Sequence, residues 1–373
     1  MEQIDQETAK ILFEEGGTII FLGVPEGTEF GIDLKSWNTE ENFRGVKMIP
    51  QGLHYIHFSS VGNMGDVAPR TGFMHDFQRT EILLLKWDKK LEDIKPITDT
   101  NEIDTLRANL KNLDRFLGAY PYDIFPKWKH LTTYLNNDIV KKLQPTSGII
   151  RSALELVSCE KRDITKPDPP SLKRRRRTRP GIDNVDDDLL PDLKPVPGTE
   201  LRLTVFPENS YPDGSTPAEI TKHSLDSTYV LECLIKNYTR PIEIIGEVQF
   251  TFICFLVGHS LEAFEQWKRL VNIICSCELA ITKYRIIFDT FLSVFEAQLL
   301  EVPEEFLADI VANNNFAYLK LRQLFCAIQN STVDGKLKSK AKRFAERLSD
   351  IYFWDFSNLD EEDDDEAPVI VKL

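Results

Sequence analysis

The sequence predicts an α+β protein of two domains. A β-rich N-terminal domain, β-sandwich-like with a few helices, is joined by a disordered linker to an all-α C-terminal domain. The chain has 373 residues, 42% of them apolar, and single cores rarely exceed about 250 to 300 residues. Strand signals end near residue 87, helical periodicity dominates after residue 216, and a Pro/Arg/Asp-rich segment lies between. The predicted divisions are 1–159, 160–199, 200–357 and an acidic tail, 358–373.

The N-terminal domain is predicted to begin with a helix and to continue as strands. Residues 5–15 have helical character, which Gly16 and Gly17 end. Runs typical of strands, each bounded by Gly, Pro or Asn, are 18–22, 28–32, 43–49, 53–59 and 80–87. Apolar residues then recur at steps of three and four from Ile103 to Leu117, which predicts one helix ended by Gly118 and Pro121. One or two further helices are expected through Leu143.

The segment 160–199 has the composition of a disordered linker. Seven prolines lie between Pro167 and Pro197, and six of the seven residues 173–179 are cations. Ordering a chain costs about 1 to 2 kcal/mol per residue, and this segment has little apolar surface to offset that cost. We therefore expect two domains with separate cores on either side of it.

The C-terminal domain is predicted to start at a complete helix signal. Thr216 is placed as the N-cap, Pro217 at the first helical position, and Glu219 three residues after the cap, which predicts a capping box. About seven helices follow. Their signals are at 230–235, 248–257, from Ser260 to Leu270, 286–300, 306–310, 316–328 and 336–353. The helix at 248–257 is apolar on every side and is predicted to be the central one.

Composition limits the classes of function and compartment. A net charge of −14 argues against a protein that binds nucleic acid over a broad surface. The six cysteines lie mostly in apolar stretches, which indicates reduced thiols inside the cell. No basic and apolar leader opens the sequence, and the longest apolar stretch, 248–257, is about half a membrane span. We expect a protein of the cytoplasm and nucleus with no membrane contact.

No pattern in the sequence indicates catalysis, a cofactor or a metal. His54 and His57 are three apart in a predicted strand and therefore face opposite sides of it. Cys275 and Cys277 are two apart in a predicted helix and point about 200° from each other. Nucleophile, phosphate-loop, dinucleotide and zinc-protease motifs are absent. The protein is expected not to be an enzyme.

A cluster of cations in the linker is a candidate nuclear import signal. It consists of Lys173, Arg174, Arg175, Arg176 and Arg177. The same cations could meet phosphate, which leaves an RNA-binding protein as the alternative function. A solvated charge run is the third possibility.

The tail combines a solubilising tract with a strand that lacks a partner. Seven carboxylates at 360–366 precede Pro368 and the run V-I-V-K-L. Charges beside an apolar strand act as gatekeepers against aggregation. We interpret Val369, Ile370, Val371 and Leu373 as a donor strand that pairs with another protein.

Several long strings in the sequence are similar to one family. They are G-T-E-F-G-I-D (27–33), F-R-G-V-K-M-I-P-Q-G-L-H (43–54), N-L-D-R-F-L-G-A-Y-P-Y (112–122), T-P-A-E-I-T-K-H-S (216–224), G-E-V-Q-F-T-F-I-C-F-L-V-G (246–258), E-A-F-E-Q-W-K-R-L (262–270) and A-P-V-I-V at the end. The chain resembles the Aar-two splicing factor family along nearly its whole length apart from the linker.

This resemblance implies a non-enzymatic assembly factor of the spliceosomal U5 small nuclear ribonucleoprotein (U5 snRNP), and so a role in mRNA processing. The expected partner is the central scaffold protein of the spliceosome, bound through its RNase H-like and Jab/MPN-like domains, so that the U5 helicase docks later. The implied fold has a VHS-like helical C-terminal domain, and the implied tail adds a strand in the complex. The family's regulatory phosphosite cannot be placed in this linker, where Ser171 and Thr178 are the candidates.

Overall fold

The computed structural model describes residues 6–61, 66–90, 93–154, 156–158, 193–302, 316–357 and 359. Two five-stranded sheets form the N-terminal part, and the part after residue 216 is helical. The predicted fold class is therefore confirmed. Among the described residues, no helix has both the length and the apolarity needed to cross a bilayer.

Twelve strands are described, all of them before residue 196. Their bounds are β1 Gly17–Leu22, β2 Glu29–Ile32, β3 Lys35–Asn38, β4 Gly45–Ile49, β5 Gly52–Ser59, β6 Thr71–Phe77, β7 Ile82–Asp88, β8 Asp93–Pro96, β9 Leu117–Ala119, β10 Ile150–Arg151, β11 Leu156–Ser158 and β12 Leu193–Pro195. All five predicted strands are present. β6 was not predicted, and it pairs with β5 over seven residues.

The two sheets differ in their pairing. One is mixed, with the order β8-β7-β1-β4-β9, and β1 pairs parallel to β7 and antiparallel to β4. The other has the order β10-β6-β5-β2-β3 and is antiparallel throughout. Aromatic rings join the sheets, because Phe21 of the first lies 5.8 Å from Phe30 and 6.3 Å from Phe58 of the second, between ring centroids. The sheets thus enclose a core of their own.

The thirteen described helices are shared unequally between the two parts. The N-terminal part has α1 Gln6–Glu15, α2 Thr100–Ala108, α3 Leu110–Leu113, α4 Phe125–Thr132 and α5 Asn137–Leu143. The C-terminal part has α6 Pro217–Leu225, α7 Thr228–Ile235, α8 Glu243–Leu256, α9 Leu261–Cys275, α10 Ala280–Lys283, α11 Arg285–Leu299, α12 Phe316–Asn330 and α13 Gly335–Tyr352. The helix predicted at 306–310 lies outside the described residues.

The single helix predicted from Ile103 to Leu117 is wrong. The stretch contains α2, α3 and a 3₁₀ turn at Asp114–Phe116, and Leu117 then opens β9. β9 pairs with β4, so that Leu117 lies opposite Gly45 and is buried. Pairing with a neighbouring strand therefore decides the conformation of this end of the apolar stripe.

The start of α6 follows its prediction. The Thr216 side chain accepts a hydrogen bond from the Glu219 backbone N–H, and the Glu219 carboxylate accepts one from the Thr216 N–H. α8 is also central as predicted, since every residue from Ile244 to Phe255 is buried. Local capping and all-round apolarity were sufficient signals for these two helices.

The two parts share a core, which the sequence did not indicate. Trp128 and Leu131 of α4 and Ile139 and Leu143 of α5 belong to the same buried cluster as α8, α9 and α11. The expectation of separate cores is therefore wrong for α4 and α5, which pack on the C-terminal helices. The end of the predicted linker is ordered as well, because β12 pairs antiparallel with β11.

Candidate partner-binding site

All site residues predicted from sequence lie outside the described residues. This applies to the tail strand Val369, Ile370, Val371 and Leu373, to the cation cluster Lys173, Arg174, Arg175, Arg176 and Arg177, and to Ser171 and Thr178. The structure therefore describes the body that carries these segments. We call the described N-terminal and C-terminal parts together the body. The junction between the two parts, the buried polar networks and the grooves determine which surfaces the body can offer to a partner.

His54 takes part in a buried polar network rather than a metal site. Asp33, fully buried, accepts hydrogen bonds from Tyr120 Oη at 2.6 Å and from the Tyr55 backbone N–H at 2.9 Å. His54 Nδ1 lies 2.7 Å from the same carboxylate, and its Nε2 lies 2.9 Å from the Pro50 carbonyl oxygen. Both ring nitrogens of His54 therefore lie within hydrogen-bond distance of an oxygen atom. This network ties β2, β5 and residue 120 together.

His57 faces the opposite direction, as its spacing predicted. Its ring packs against Gly31, where an added Cβ would clash with the imidazole. Nδ1 is buried and has no hydrogen-bond partner among the described residues. Burial, with Arg70 and His259 nearby, lowers the pKa of His57 to about 3. His57 is therefore neutral at pH 7 and forms part of the packing beside the junction.

Hydrogen bonds cross the junction between the two parts, with donors and acceptors from each part. Gln249 of α8 accepts one from the Tyr134 N–H at 2.8 Å and donates one to the His130 carbonyl at 3.1 Å. Arg70 binds Glu29 at 2.5 Å and donates to the Val257 carbonyl at 2.9 Å. Gly246 lets α8 approach closely, since an added Cβ would lie 2.5 Å from Ile139 Cδ1. The sheets and the helices thus present their surfaces in one fixed arrangement.

A second buried carboxylate, Glu247, holds the chain that leaves the linker. It is fully buried and accepts hydrogen bonds from the Thr204 backbone N–H at 2.9 Å, from Gln266 Nε2 at 3.1 Å and from the Tyr238 hydroxyl. Glu247 belongs to the string G-E-V-Q-F, but the presence of an acidic residue in an apolar helix does not predict which groups it binds. Sequence reasoning missed it because the partners come from three distant segments.

The cysteines have no metal or redox arrangement in the described part of the chain. Burial raises the pKa of both Cys275 and Cys277, so both remain thiols at pH 7. Within the same residues, no group of three or more His, Cys, Asp or Glu side chains is placed to hold a metal ion.

The chain after α13 turns back and lines a groove with α12 and α13. Tyr318 Oη donates to the Asp355 carbonyl at 2.7 Å, and Arg322 donates to the Ser357 carbonyl at 3.4 Å. The Phe356 ring lies 5.1 Å from the Phe325 ring, between centroids. Because Tyr318, Arg322 and Phe325 follow one another along α12, the returning chain runs in the same direction as α12. It therefore runs opposite to α13, which packs against α12 as the next helix of the chain. It leads to a groove of about 490 Å³, where Leu359 lies.

Comparison with known proteins identifies the family. Residues 15–145 match the family model described as the AAR2 N-terminal domain, and residues 203–357 match the AAR2 C-terminal repeat region. The chain is similar to the protein AAR2 homolog of Homo sapiens, with 40% identity over all of this chain and 97% of the relative. The chain belongs to the AAR2 family.

Two further AAR2 relatives extend this similarity. The protein AAR2 homolog of Caenorhabditis elegans is 33% identical over 94% of this chain and 98% of its own length. A Saccharomyces cerevisiae protein named A1 cistron-splicing factor AAR2 is 24% identical over 95% of this chain and 97% of its own length. The resemblance to the Aar-two splicing factor family seen in the sequence is thus confirmed.

The two AAR2 family models cover the body but not the segments predicted to bind partners. The cation cluster lies between them, in residues 146–202, and the tail lies beyond residue 357. Asp33, Arg70 and Tyr120 fall within the first model, and Gly246 and Glu247 within the second. The residues that fix the body are therefore in the parts that the family models describe.

Proposed function

We propose that this chain is a non-enzymatic assembly factor of the spliceosomal U5 snRNP. It would bind the central scaffold protein through the RNase H-like and Jab/MPN-like domains of that protein and delay docking of the U5 helicase. The observation that carries the proposal is membership of the AAR2 family along the whole chain, with a yeast relative named as a splicing factor. A body joined by a shared core supports it, because such a body holds two surfaces at a fixed separation.

The tail is proposed to bind the scaffold as an added strand. Alternation places Val369, Val371 and Leu373 on one face of such a strand and Ile370 on the other. Burial of three such side chains offers roughly 5 to 9 kcal/mol, and ordering six residues costs roughly 6 to 12 kcal/mol. Main-chain hydrogen bonds add roughly 0.5 to 1.5 kcal/mol each. The tail alone therefore binds weakly and contributes through its attachment to a docked body.

Truncation and proline substitution test the strand. One variant is truncated after Glu366. Two full-length variants carry Val369→Pro or Val371→Pro, each of which removes a ladder donor but keeps the charge. Val369→Ile is the matched control, since it keeps the N–H group and the branched shape. We expect about a tenfold or larger loss of affinity for a scaffold fragment with both domains in the first three, measured by calorimetry, and none in the control. Equal binding by all four proteins refutes the donor strand.

The cation cluster Lys173–Arg177 is proposed to promote nuclear entry, which would place the protein in both cytoplasm and nucleus. Replacing all five residues with Ala should lower the nuclear fraction seen by imaging; an unchanged fraction contradicts the proposal. A second candidate function, RNA binding, is favoured by the six cations in 173–179. If it holds, RNA affinity falls steeply with salt and is lost in the same variant. Phosphorylation at Ser171 or Thr178 would act beside these cations.

A further inference from the structure

Helix α13 is strongly basic in a chain whose net charge is −14. Six cations lie within it: Lys336, Lys338, Lys340, Lys342, Arg343 and Arg347. Lys340 pairs with Asp289 and Arg347 with Glu296, both on α11. These two cations therefore serve the packing of α13 against its neighbour.

The other four cations have little compensation. Lys342 reaches Glu346 only at 4.0 Å, and Lys338 donates to a carbonyl, that of Gln329. Within the part of the chain that the structure describes, Lys336, Lys338 and Arg343 form no ion pair. We call Lys336, Lys338, Lys342 and Arg343 the basic end of α13. The basic end lies at the positive end of the helix dipole, where the acidic N-cap Asp334 already pairs with Arg285.

The basic end borders the groove into which the returning chain leads. Lys338 and Lys342 are four residues apart, so they lie on one face of the helix, and both line the groove. Glu346, Asp350 and Asp355 line its other end. The groove is therefore basic toward the start of α13 and acidic toward its end.

The described chain enters this groove and proceeds toward its basic half. The Asp355 and Ser357 carbonyl groups accept hydrogen bonds from Tyr318 and Arg322, which are one turn apart on α12, and Leu359 lines the same groove as Lys338 and Lys342. The next seven residues, 360–366, are all Asp or Glu. They extend to at most about 25 Å, whereas the basic end spans about 10 Å along the helix axis. The carboxylates are repelled by the acidic half and can reach Lys338 and Lys342, which line the groove. Lys336 and Arg343 lie on another face of the helix and add to the positive potential around them.

We propose that the acidic tract 360–366 docks on the basic end of α13 of the same chain. The contact holds the start of the tail strand, Val369, beside the helical body when no partner is bound. It is electrostatic and largely exposed, so it weakens as salt is added. It does not depend on the proposed role of the tail as a donor strand.

A photo-crosslinker next to the tract locates the contact in the full chain. Ala367 is replaced with benzoylphenylalanine, the protein is irradiated, and the crosslinked peptides are identified by mass spectrometry. We expect crosslinks within residues 329–346 at low salt, and their loss at about 0.5 M salt, where the Debye length falls below about 5 Å. Crosslinks scattered over the body, or unaffected by salt, overturn the proposal.

Charge variants test the residues named. Lys338→Gln with Lys342→Gln should lower the yield of these crosslinks by about 2- to 30-fold, the range expected for two exposed ion pairs. Replacing all seven carboxylates of the tract 360–366 with Asn or Gln should also lower the yield of these crosslinks, because it removes the negative partner of the contact. Lys222→Gln with Lys236→Gln, two exposed lysines elsewhere in the helical part, is the matched control. Equal yields in the first variant and the control refute the contact.

Two alternative contacts would give different results: the acidic tract could bind the linker, or the basic end of α13 could bind nucleic acid. If the tract pairs with the linker, neutralising Arg174–Arg177 removes the crosslinks and neutralising Lys338 and Lys342 does not. If the basic end instead binds nucleic acid, the Lys338 and Lys342 variant loses affinity for a single-stranded RNA while the crosslinks remain. Either result overturns the proposal. Both sets of substitutions replace a charge with a neutral polar side chain, and circular dichroism verifies that the variants fold.

Discussion

Replacing Asp33 with Ala should strongly destabilise the protein, because this carboxylate is the acceptor of a buried polar network. The carboxylate is fully buried and accepts from Tyr120 Oη, from the Tyr55 N–H and from His54. Removing it leaves three buried donors without an acceptor, each worth about 1 to 3 kcal/mol. The sum is about 3 to 9 kcal/mol, and single substitutions that cost more than about 5 kcal/mol are exceptional. We therefore expect a loss of about 3 to 5 kcal/mol in the free energy of unfolding.

Urea unfolding at pH 7, followed by tryptophan fluorescence, measures this loss. With a slope of about 3 kcal/mol per molar, the midpoint should fall by about 1 to 1.7 M. Asp33 has a positive φ of 54°, which Asn tolerates better than Ala, so Asp33→Asn separates the lost acceptors from backbone strain. We expect the Asn variant to lie between the Ala variant and the unchanged protein.

Tyr120→Phe supplies the decisive comparison, because it removes one donor and leaves the carboxylate two others. It should cost about 1 kcal/mol. The double variant should lose less than the sum of the single variants, by about 1 kcal/mol, because one orphaned donor is then absent. An Asp33→Ala loss no larger than that of Tyr120→Phe, or strict additivity, would show that the network does not act as described.

Three further predictions follow from the junction. His57 has a pKa of about 3 in the folded chain and about 6.5 in the unfolded chain. Between these two values the unfolded chain binds more protons than the folded one. The contribution of His57 to the free energy of unfolding is therefore complete above about pH 7 and is lost as the pH falls below it. His57 should account for roughly 2 kcal/mol of loss from pH 7 to 5, and His57→Gln should flatten the measured pH dependence of unfolding; an unchanged slope argues against the assignment. Trypsin cleavage near Arg174–Arg177 should leave two fragments that co-elute on size exclusion, since they share a core, and separate elution would contradict the shared core. Gly246→Ala should cost about 1 to 3 kcal/mol in urea unfolding through contact with Ile139, whereas Gly335→Ala, where an added Cβ meets nothing within 4 Å, should cost nothing; equal effects would refute the close approach of α8.

The sequence by itself determined the elements whose causes are local. α1 ends where Gly16 follows it, and α6 begins where Thr216 and Glu219 satisfy each other's backbone groups. The sequence of α8 is apolar on all sides of a helix, which predicted that the helix has no exposed face. The opposite directions of His54 and His57 followed from the two-residue period of a strand. Each of these inferences needs only residues within a few positions of one another.

The tertiary structure alone decided the features whose partners are distant in sequence. β6 has the sequence T-G-F-M-H-D-F, which lacks a run of β-branched residues, and it is a strand because β5 pairs with it. Leu117 ends a helical stripe yet opens β9, because Gly45 lies opposite it. The attachment of α4 and α5 to α8 joins distant parts of the chain, and the buried Asp33 and Glu247 bind Tyr55 and Thr204, which lie 22 and 43 positions away. Such contacts are selected by the free energy of burying and satisfying surfaces together, which no local pattern records.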